Sequence, residues 1–462
     1  MAFDYDLLII GAGPGGYVGA IRAAQLGMKV GIIEKDKAGG VCLNIGCIPS
    51  KSLVHQAENF HSIGNLERMG VKVDLAGFEY GNVHAESRKA ADQLSKGVGF
   101  LLKKNKVEYI QGTGTITGEH EVTVNEDKKI SANNILIATG SRPRELKGFE
   151  FDGTTIMSSD DILMRTDLPK SMLVLGAGAI GCEFTHIMSR FGVEVTLVEM
   201  LDHILPTEDE EAAKVLARSF KKRKITMYTG AKASPPRKED GKVILDVETK
   251  KGNKTLEAET LLVTVGRAPN TEHIGLENVG ISTEKGFIPI GDYYQTSVDS
   301  IYAVGDVVSV TPQLAHVASK EAELVVEHLA GEKVEPRLDP TTIPAGVYTE
   351  PEVAGFGYTE EQAKEQGYEA ASNSFPIRGA GKSVAIEKTE GMVKIIYSTK
   401  TQEILGARIV GTQATDLIHE LLLARSSELI TTDISKMIHA HPTLSEALME
   451  AARATEGWVI HA

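Results

Sequence analysis

The segment GGVCLNIGCIPSK, residues 39–51, places Cys42 and Cys47 five positions apart in a chain that has only three cysteines. Two cysteines at this spacing can form a structural disulfide, or a redox pair that is reduced and reoxidised in each turnover. Exchange with a substrate thiol requires a thiolate, and an ordinary thiol, with a pKa of about 8.5, is mostly protonated at neutral pH. A redox pair therefore requires a base from elsewhere in the chain.

The cysteine content favours the redox interpretation. Three cysteines in 462 residues do not make the disulfide framework of a secreted protein. The N-terminal sequence MAFDYDLLIIGAG passes from Met1 almost directly into a predicted strand, which leaves no room for a signal or transit peptide. We therefore expect a reducing, cytoplasmic setting, in which a structural disulfide would be reduced. The alternative is an organellar matrix, reached with a presequence that has been removed.

The elements that must position this pair include an internal repeat. Residues 7–35 and 173–200 each contain an apolar run, the pattern G-x-G-x-x-G, a helix-like segment and a second apolar run ending in Glu. The first glycine makes a tight turn, the second lets the backbone approach a pyrophosphate, and the third lets the helix pack on the strand. These residues are Gly11, Gly13, Gly16 and Glu34 in the first copy, and Gly176, Gly178, Gly181 and Glu199 in the second.

This repeat predicts two dinucleotide sites. The phosphates would lie at a helix N-terminus, where unpaired N–H groups and the helix dipole favour negative charge, and the final Glu would bind the adenosine ribose. The segment after Glu199, MLDHILPTEDEE, has no Arg or Lys to hold a 2′-phosphate, so the second site favours NAD(H) over NADP(H). Cys182, inside the second predicted helix, is expected to be a small buried apolar residue.

Three further apolar segments end in a glycine turn. Residues 135–143 and 261–270 are expected to close the two nucleotide units and to cross into the next domain. Residues 296–307 present Asp306 after a glycine, where its carboxylate could bind sugar hydroxyls or cap the next helix. Beyond about residue 339, alternating segments and a helical segment at 415–429 predict an α+β domain of about 120 residues.

Length and charge set outer limits on the fold and its partners. A chain of 462 residues predicts roughly two to four domains. A net charge of −14 argues against nucleic acid or an anionic membrane as the main partner. No segment has the roughly 18 consecutive apolar residues of a membrane span. The one dense basic run, residues 218–224, is typical of a solvated helix end.

Together these motifs resemble the class I flavin-dependent pyridine nucleotide-disulfide oxidoreductases, and within that family the members that oxidise dihydrolipoamide. The resemblance follows the whole chain in order. It includes the first glycine motif, GGVCLNIGCIPSK, ATG at 138–140, the second glycine motif, GD at 305–306 and HAHPTLSE at 439–446.

The resemblance implies an α/β fold with two Rossmann-like dinucleotide-binding domains, one for FAD and one for NAD, and a C-terminal α+β dimerisation domain. The implied boundaries are 1–147 for the first part of the FAD domain, 148–270 for the NAD domain, 271–342 for a central segment that completes the FAD region, and 343–462 for the interface domain. Besides the glycine motifs and their glutamates, the implied FAD contacts are Lys51, Gly114, Thr139, Gly140, Ser141, Asp306 and Ala315, and the implied NAD contacts are Glu183 and Gly266.

The resemblance also implies catalytic roles. Cys47 would be the sulfur nearer the flavin, and Cys42 the one that exchanges with the substrate dithiol. His441 would be the base, and Glu446 would orient its ring and stabilise the imidazolium. His439 is expected to be structural.

A homodimer with shared active sites is a further implication. Because His441 lies in the interface domain, it would serve the disulfide of the other subunit, and its ring direction would follow from a cis bond before Pro442. Lys51 would stabilise reduced flavin and thiolate, with Glu183 pairing from the NAD domain. The implied reaction is oxidation of protein-bound dihydrolipoamide with reduction of NAD⁺. The implied partners are lipoyl-domain proteins, either an E2 acyltransferase or the H-protein of glycine cleavage.

Two alternatives remain open. One is another NAD(P)H-dependent disulfide reductase of the glutathione reductase type, although those enzymes generally use NADPH and carry a second Lys where Ser50 stands here. The other is a mainly structural subunit of a multienzyme complex. Loss of turnover in a Cys47→Ser chain that still docks would separate the enzyme from the structural subunit.

Overall fold

The computed structural model describes residues 3–461, and its elements fall into four successive stretches. The first stretch, residues 3–147, builds a sheet around the first glycine motif. Its elements are β1 (Tyr5–Ile10), α1 (Pro14–Gln25), β2 (Val30–Glu34), α2 (Gly40–Ile45), α3 (Cys47–His61), α4 (Ile63–Arg68), α5 (Tyr80–Lys104), β3 (Glu108–Gln111), β4 (Gly114–Gly118), β5 (Glu121–Val124), β6 (Lys128–Ile137) and β7 (Ser141–Pro143).

Four strands of the first stretch form a parallel sheet in the order β3-β2-β1-β6, and β5 and β4 extend it antiparallel from the first half of β6. The side chains of β1 and β2 are buried on both faces, as expected for parallel strands inside a layered domain. One face packs on α1 and α5, and the other on β4 and β5.

The second stretch, residues 148–270, repeats this plan around the second glycine motif. Its elements are β8 (Ile156–Met157), α6 (Ser159–Met164), β9 (Ser171–Leu175), α7 (Ala179–Arg190), β10 (Glu194–Val198), α8 (Glu210–Lys222), β11 (Thr226–Tyr228), β12 (Lys232–Ala233), β13 (Arg237–Glu239), β14 (Lys242–Thr249), β15 (Gly252–Ala258), β16 (Thr260–Val263) and β17 (Arg267–Pro269). A parallel sheet runs in the order β11-β10-β9-β16-β8, and β12 to β15 form a separate antiparallel sheet.

The third stretch, residues 271–342, returns to the first sheet. It contains β18 (Ile301–Ala303), α9 (Ala315–Leu329) and the 3₁₀ helices Leu276–Val279, Asp292–Tyr294, Gly305–Val307 and Pro340–Thr342. β18 pairs in parallel with β6, and α9 packs along α1. The approach of the two helices is close, because a Cβ at Gly19 would lie 3.1 Å from the Cβ of Ala322. β7 and β17 pair antiparallel where the chain leaves and re-enters this part of the molecule.

The last stretch, residues 343–461, forms a five-stranded antiparallel sheet in the order β19-β20-β23-β22-β21. Its elements are β19 (Ala345–Val347), β20 (Glu352–Gly357), α10 (Glu360–Glu365), β21 (Ala370–Pro376), a 3₁₀ helix (Ile377–Gly379), α11 (Gly381–Ala385), β22 (Met392–Ser398), β23 (Ile404–Gly411), α12 (Ala414–Ser426), α13 (Thr431–Lys436) and α14 (Glu446–Thr455). α12 and α14 pack on the sheet through buried alanine, isoleucine and leucine side chains.

The predicted fold class, two Rossmann-like units followed by an α+β region, is confirmed. The expectation of a solvated basic helix end holds for Lys221, Lys222 and Lys224, which are exposed in the last turn of α8 and just beyond it. It is wrong for Arg223, whose Nη1 lies 3.0 Å from Nδ1 of the buried His186. Within residues 3–461, no helix is long and apolar enough to cross a membrane.

Candidate active site

Both glycine motifs form the tight turn that the repeat predicts. Gly11 and Gly176 have φ angles of +102° and +100°, in the region that favours glycine. A Cβ would lie 2.4 Å from the oxygen of Ala138 at the first turn and 2.6 Å from that of Thr264 at the second. A Cβ at Gly16 or Gly181 would overlap the carbonyl oxygen of its own motif's first glycine, at 1.8 and 1.9 Å, so the third glycine lets the helix begin close to the end of the strand.

The glutamates that end the repeats are buried, and the backbone holds them in the same way. Glu34 accepts hydrogen bonds from the N–H groups of Ala12, at 2.7 Å, and Asp36, at 2.8 Å. Glu199 accepts from the N–H groups of Ala177, at 2.6 Å, and Leu201, at 2.8 Å. Each carboxylate is therefore fixed beside its glycine turn.

The backbone at the second glycine of each turn is open to a ligand. The position of a Cβ at Gly13 or Gly178 has no protein atom within 4 Å, so a ligand can approach the backbone there. In the part of the chain that the structure describes, no side chain caps the first turn of α1 or α7, and neither turn carries an acidic residue. These free N–H groups can bind a pyrophosphate at the positive end of the helix dipole.

The remaining predicted nucleotide contacts lie around these turns. Ser141 donates a hydrogen bond to the carboxylate of Asp306, and Arg267 Nε donates to Ser141 Oγ at 2.7 Å. Asp306 lies in a 3₁₀ turn, and α9 begins only at Ala315, so the alternative of a helix cap at Asp306 is wrong.

The other predicted contacts are at strand ends and turns. Thr139 Oγ1 donates to the oxygen of Asn270 at 2.7 Å, which ties the exit of β6 to the end of β17. Gly114 begins β4 and packs on Ile33, next to Glu34, whereas Gly140 and Gly266 have positive φ angles and face open space.

The two cysteines of the predicted redox pair are in contact. Cys42 lies on α2 and Cys47 is the first residue of α3, with Gly46 as the connection between the helices. Both are free thiols joined by a hydrogen bond. Cys42 is half-buried and Cys47 is exposed, so the Cys47 side of the pair is the more accessible one.

The electrostatic environment separates the two thiols. The hydrogen bond from Cys42, aided by the charge of Lys51 and opposed by desolvation, lowers the pKa of Cys47 to about 7. The same hydrogen bond, together with burial and the negative charge on Cys47, raises the pKa of Cys42 well above its usual range. Of the two thiols in the reduced pair, Cys47 is therefore the one that loses its proton more readily.

Lys51 and Glu183 form an ion pair between α3 and α7. Lys51 Nζ lies 3.0 Å from Oε1 and 2.8 Å from Oε2 of Glu183, whose side chain is buried. Burial, the largest single effect, lowers the pKa of Lys51, but Glu183, Cys47 and Tyr348 together raise it more, so the net shift is upward. The positive charge therefore persists beside Cys47.

We expect opposite effects on Cys47 from neutralising the two members of this pair. Lys51→Met removes the cation that favours the thiolate and raises the thiol pKa, whereas Glu183→Gln removes an anion that disfavours it and lowers the pKa. A pH titration of thiolate absorbance in the reduced protein measures both shifts, with Lys51→Arg as the charge-conserving control. Shifts in the same direction for Lys51→Met and Glu183→Gln would contradict this assignment.

His441 and Glu446 form a second group of predicted catalytic residues. His441 Nδ1 donates a hydrogen bond to Glu446 Oε1 at 2.9 Å, and the N–H of Thr443 donates to Glu446 Oε2 at 2.8 Å. Burial would raise the pKa of Glu446, but these two bonds hold it below its usual range. The carboxylate is therefore charged and holds the tautomer in which His441 Nε2 is free to accept a proton.

The His441 side chain is 75% exposed, and no hydrogen bond joins it to either cysteine among residues 3–461. The bond before Pro442 is cis, as the resemblance implies. His439 differs, since its side chain is buried and its Nε2 lies 2.9 Å from Glu420. Cys182 is fully buried, as predicted. The chain thus brings the cysteines and the Lys51–Glu183 pair together, and presents the histidine pair on an open surface.

Three site residues are absent from the predictions made from sequence. Arg267 holds Ser141, and the buried Glu321 accepts a hydrogen bond from the N–H of Gly305 at 2.6 Å, next to Asp306. The ring of Tyr348 lies against Lys51. Arg267 lies in the segment 261–270, directly after the predicted Gly266, so the sequence carries a signal for it. Glu321 and Tyr348 belong to no motif identified in the sequence.

Known proteins resemble this chain along its whole length. The family model "Pyridine nucleotide-disulphide oxidoreductase" matches residues 5–322, and the model of its dimerisation domain matches residues 343–452. The chain is 42% identical to the dihydrolipoyl dehydrogenase of Corynebacterium glutamicum and 40% identical to one from Bacillus subtilis, with 100% of each chain covered in both cases.

Solved structures show the same similarity. The crystal structure of LpdA from Mycobacterium tuberculosis matches with a TM-score of 0.89 and 28% identity, over 97% of this chain and 99% of that one. The HOCl-induced flavoprotein disulfide reductase RclA from Escherichia coli matches with a TM-score of 0.86 and 26% identity, over 97% and 99% of the two chains.

Proposed function

The chain belongs to the pyridine nucleotide-disulphide oxidoreductase family, and on that premise we propose that it oxidises protein-bound dihydrolipoamide to lipoamide and reduces NAD⁺ to NADH. The activity is that of a dihydrolipoyl dehydrogenase, with FAD and NAD as cofactors. The observation that carries the proposal is the contact between Cys42 and Cys47, which leaves the negative charge on Cys47.

The two nucleotide sites have distinct roles in this proposal. FAD is held by the turn at Gly13, by Glu34 and by the Ser141–Asp306 pair. When bound, it exchanges two electrons with both a dithiol and a nicotinamide. The turn at Gly178 and Glu199 hold NAD. A buried carboxylate at Glu199 would repel a 2′-phosphate, which supports NAD(H) over NADP(H).

The chain's own residues carry out the thiol chemistry. His441 Nε2 accepts a proton from one thiol of the substrate, and the resulting thiolate attacks Sγ of Cys42 in the oxidised pair. The Cys42–Cys47 bond breaks, and its electron pair goes to Cys47 Sγ.

The second half of the exchange releases the product. The other substrate thiol loses its proton to solvent and attacks the substrate sulfur bonded to Cys42, which closes the lipoamide ring and expels the Cys42 thiolate. Cys42 then takes the proton held by His441. This end state, a thiol at Cys42 and a thiolate at Cys47, agrees with the raised pKa of Cys42 and the lowered pKa of Cys47.

Anaerobic addition of dihydrolipoamide to the FAD-loaded protein is expected to bleach the main visible flavin band, and subsequent NAD⁺ is expected to restore it with formation of NADH. The electrons reach the flavin through the reduced pair. Reduced glutathione at the same thiol concentration is the control, and it is expected to leave the band unchanged. Bleaching by glutathione but not by dihydrolipoamide would assign the chain to the glutathione-type alternative.

The chain forms a homodimer through its dimerisation domain, residues 343–452. Within the dimer, His441 of one subunit serves the cysteine pair of the other in our proposal. Its exposed Nε2 and the absence of a bond to its own cysteines, within residues 3–461, support this arrangement.

The proposed domain boundaries are 1–147, 148–270, 271–342 and 343–462. The third of these completes the FAD region, which β18 supports by pairing with β6. The proposed partners are lipoyl-domain proteins, an E2 acyltransferase or the glycine cleavage H-protein, and the proposed location is the cytoplasm.

A further inference from the structure

Tyr348 touches both members of the Lys51–Glu183 pair from a distant part of the chain. It directly follows β19, the first strand of the C-terminal stretch. Lys51 Nζ lies over its ring, 4.4 Å from the ring centroid, and its backbone N–H donates to Glu183 Oε1 at 3.0 Å. The ion pair between α3 and α7 is thus held at the point where a third part of the chain meets both helices.

The two contacts of Lys51 differ in their effect on its charge. The Glu183 carboxylate holds the ammonium group in place. It also counteracts the effect of Lys51 on Cys47, because its negative charge disfavours a thiolate there. An aromatic ring attracts a cation through its quadrupole and brings no net charge. Burial raises the pKa of Tyr348, so the phenol stays neutral and the ring keeps this character.

Lys51 also needs more than one contact to stay in place. Its side chain is 31% exposed and has four rotatable bonds, so a single ion pair leaves it considerable freedom. The contact with the Tyr348 ring adds a second attraction that favours one position of the ammonium group.

We propose that Tyr348 is a positioning residue of the redox centre, whose ring holds the Lys51 ammonium group beside Cys47 while its backbone N–H holds Glu183. The inference rests on the proposed redox role of Cys47 and extends it to a residue about three hundred positions away in sequence. The ring carries this role, and the phenol oxygen does not.

The test is a graded series at position 348 in a Cys42→Ser background, which leaves Cys47 as the one accessible thiol because Cys182 is buried. Phenylalanine, difluorophenylalanine and pentafluorophenylalanine keep the ring's shape while fluorine progressively removes its negative face. Tyr348→Leu removes the ring and keeps the backbone N–H. The readout is a pH titration of the long-wavelength absorbance that a Cys47 thiolate gives against oxidised FAD in the loaded protein.

Tyr348→Phe is expected to keep the titration midpoint. The fluorinated side chains are expected to raise it stepwise, and Tyr348→Leu to raise it by about one pH unit. FAD content and Tm, measured on each variant, separate this effect from misfolding, and the fluorinated series remains decisive if the leucine variant does not load FAD.

A midpoint that does not move across the fluorinated series would overturn the proposal. An equal shift in Tyr348→Phe would also overturn it, since the hydroxyl group would then carry the effect. Failure of the proposed function has a different signature: dihydrolipoamide would leave the flavin band of the unchanged protein intact, whatever the titrations at position 348 show.

Discussion

Replacing Cys47 with serine is expected to lower dihydrolipoamide turnover by about 10⁴-fold or more while FAD remains bound. A serine hydroxyl cannot form or break the bond to Cys42, so no route remains from the substrate dithiol to the flavin. The size of the effect follows from the loss of a covalent step that other residues of the chain cannot replace, since Cys182 is fully buried. The measurement is steady-state NADH formation from dihydrolipoamide and NAD⁺.

Cys182→Ala is the matched control for this substitution. It removes the third cysteine, whose side chain has no access to substrate, and it is expected to keep turnover within a few-fold of the unchanged protein. FAD content and dimer mass are measured for both variants. Substantial turnover in Cys47→Ser would show that the cysteine pair is not the electron carrier and would refute the proposed mechanism.

Hybrid dimers of two inactive chains are expected to recover activity. His441→Ala removes the proposed base and should lower turnover by about 10²–10⁴-fold on its own. A dimer of one Cys47→Ser chain and one His441→Ala chain contains one site with both defects and one site with none, provided each histidine serves the other chain. Random reassociation of equal amounts should therefore give about a quarter of full activity.

The outcome of this mixing experiment depends only on which chain supplies the histidine. If His441 acted on its own chain's cysteines, both sites of the hybrid would carry a defect and mixing would recover nothing. Separately tagged chains allow the hybrid to be purified, so that its activity is measured without the parent dimers. Glu446→Gln, in place of His441→Ala, should complement in the same way, because its carboxylate acts through the same ring.

The sequence predicts the parts of the site whose geometry is imposed locally. At Gly11 the Cβ of any other residue would lie against a carbonyl oxygen, so the turn requires glycine. The spacing from Gly11 to Glu34 is set by one helix and one strand, α1 and β2. The same reasoning applies to Gly176 and Glu199. These positions are recognisable because a few consecutive residues determine them.

Contacts across long sequence separations are not predictable in this way. Tyr348 reaches Lys51 only because the C-terminal stretch packs where α3 meets α7, and Glu321 holds Gly305 because α9 packs back on the 3₁₀ turn Gly305–Val307. An ordinary tyrosine after a short strand and an ordinary glutamate on a helix carry no local sign of these contacts. The cysteine pair and the C-terminal histidine were identified through their resemblance to a family, and their mutual position in the dimer remains a prediction.

The way in which Glu199 is held has a consequence for engineering coenzyme preference. One oxygen of its carboxylate accepts from Ala177, at the glycine turn, and the other accepts from Leu201. In our proposal, the residue that excludes a 2′-phosphate therefore also supports the turn that binds the pyrophosphate. A designer who replaces it with arginine to admit a phosphorylated coenzyme also leaves two backbone N–H groups without their acceptor. Redesign at this position has to restore those two bonds as well as reverse the charge.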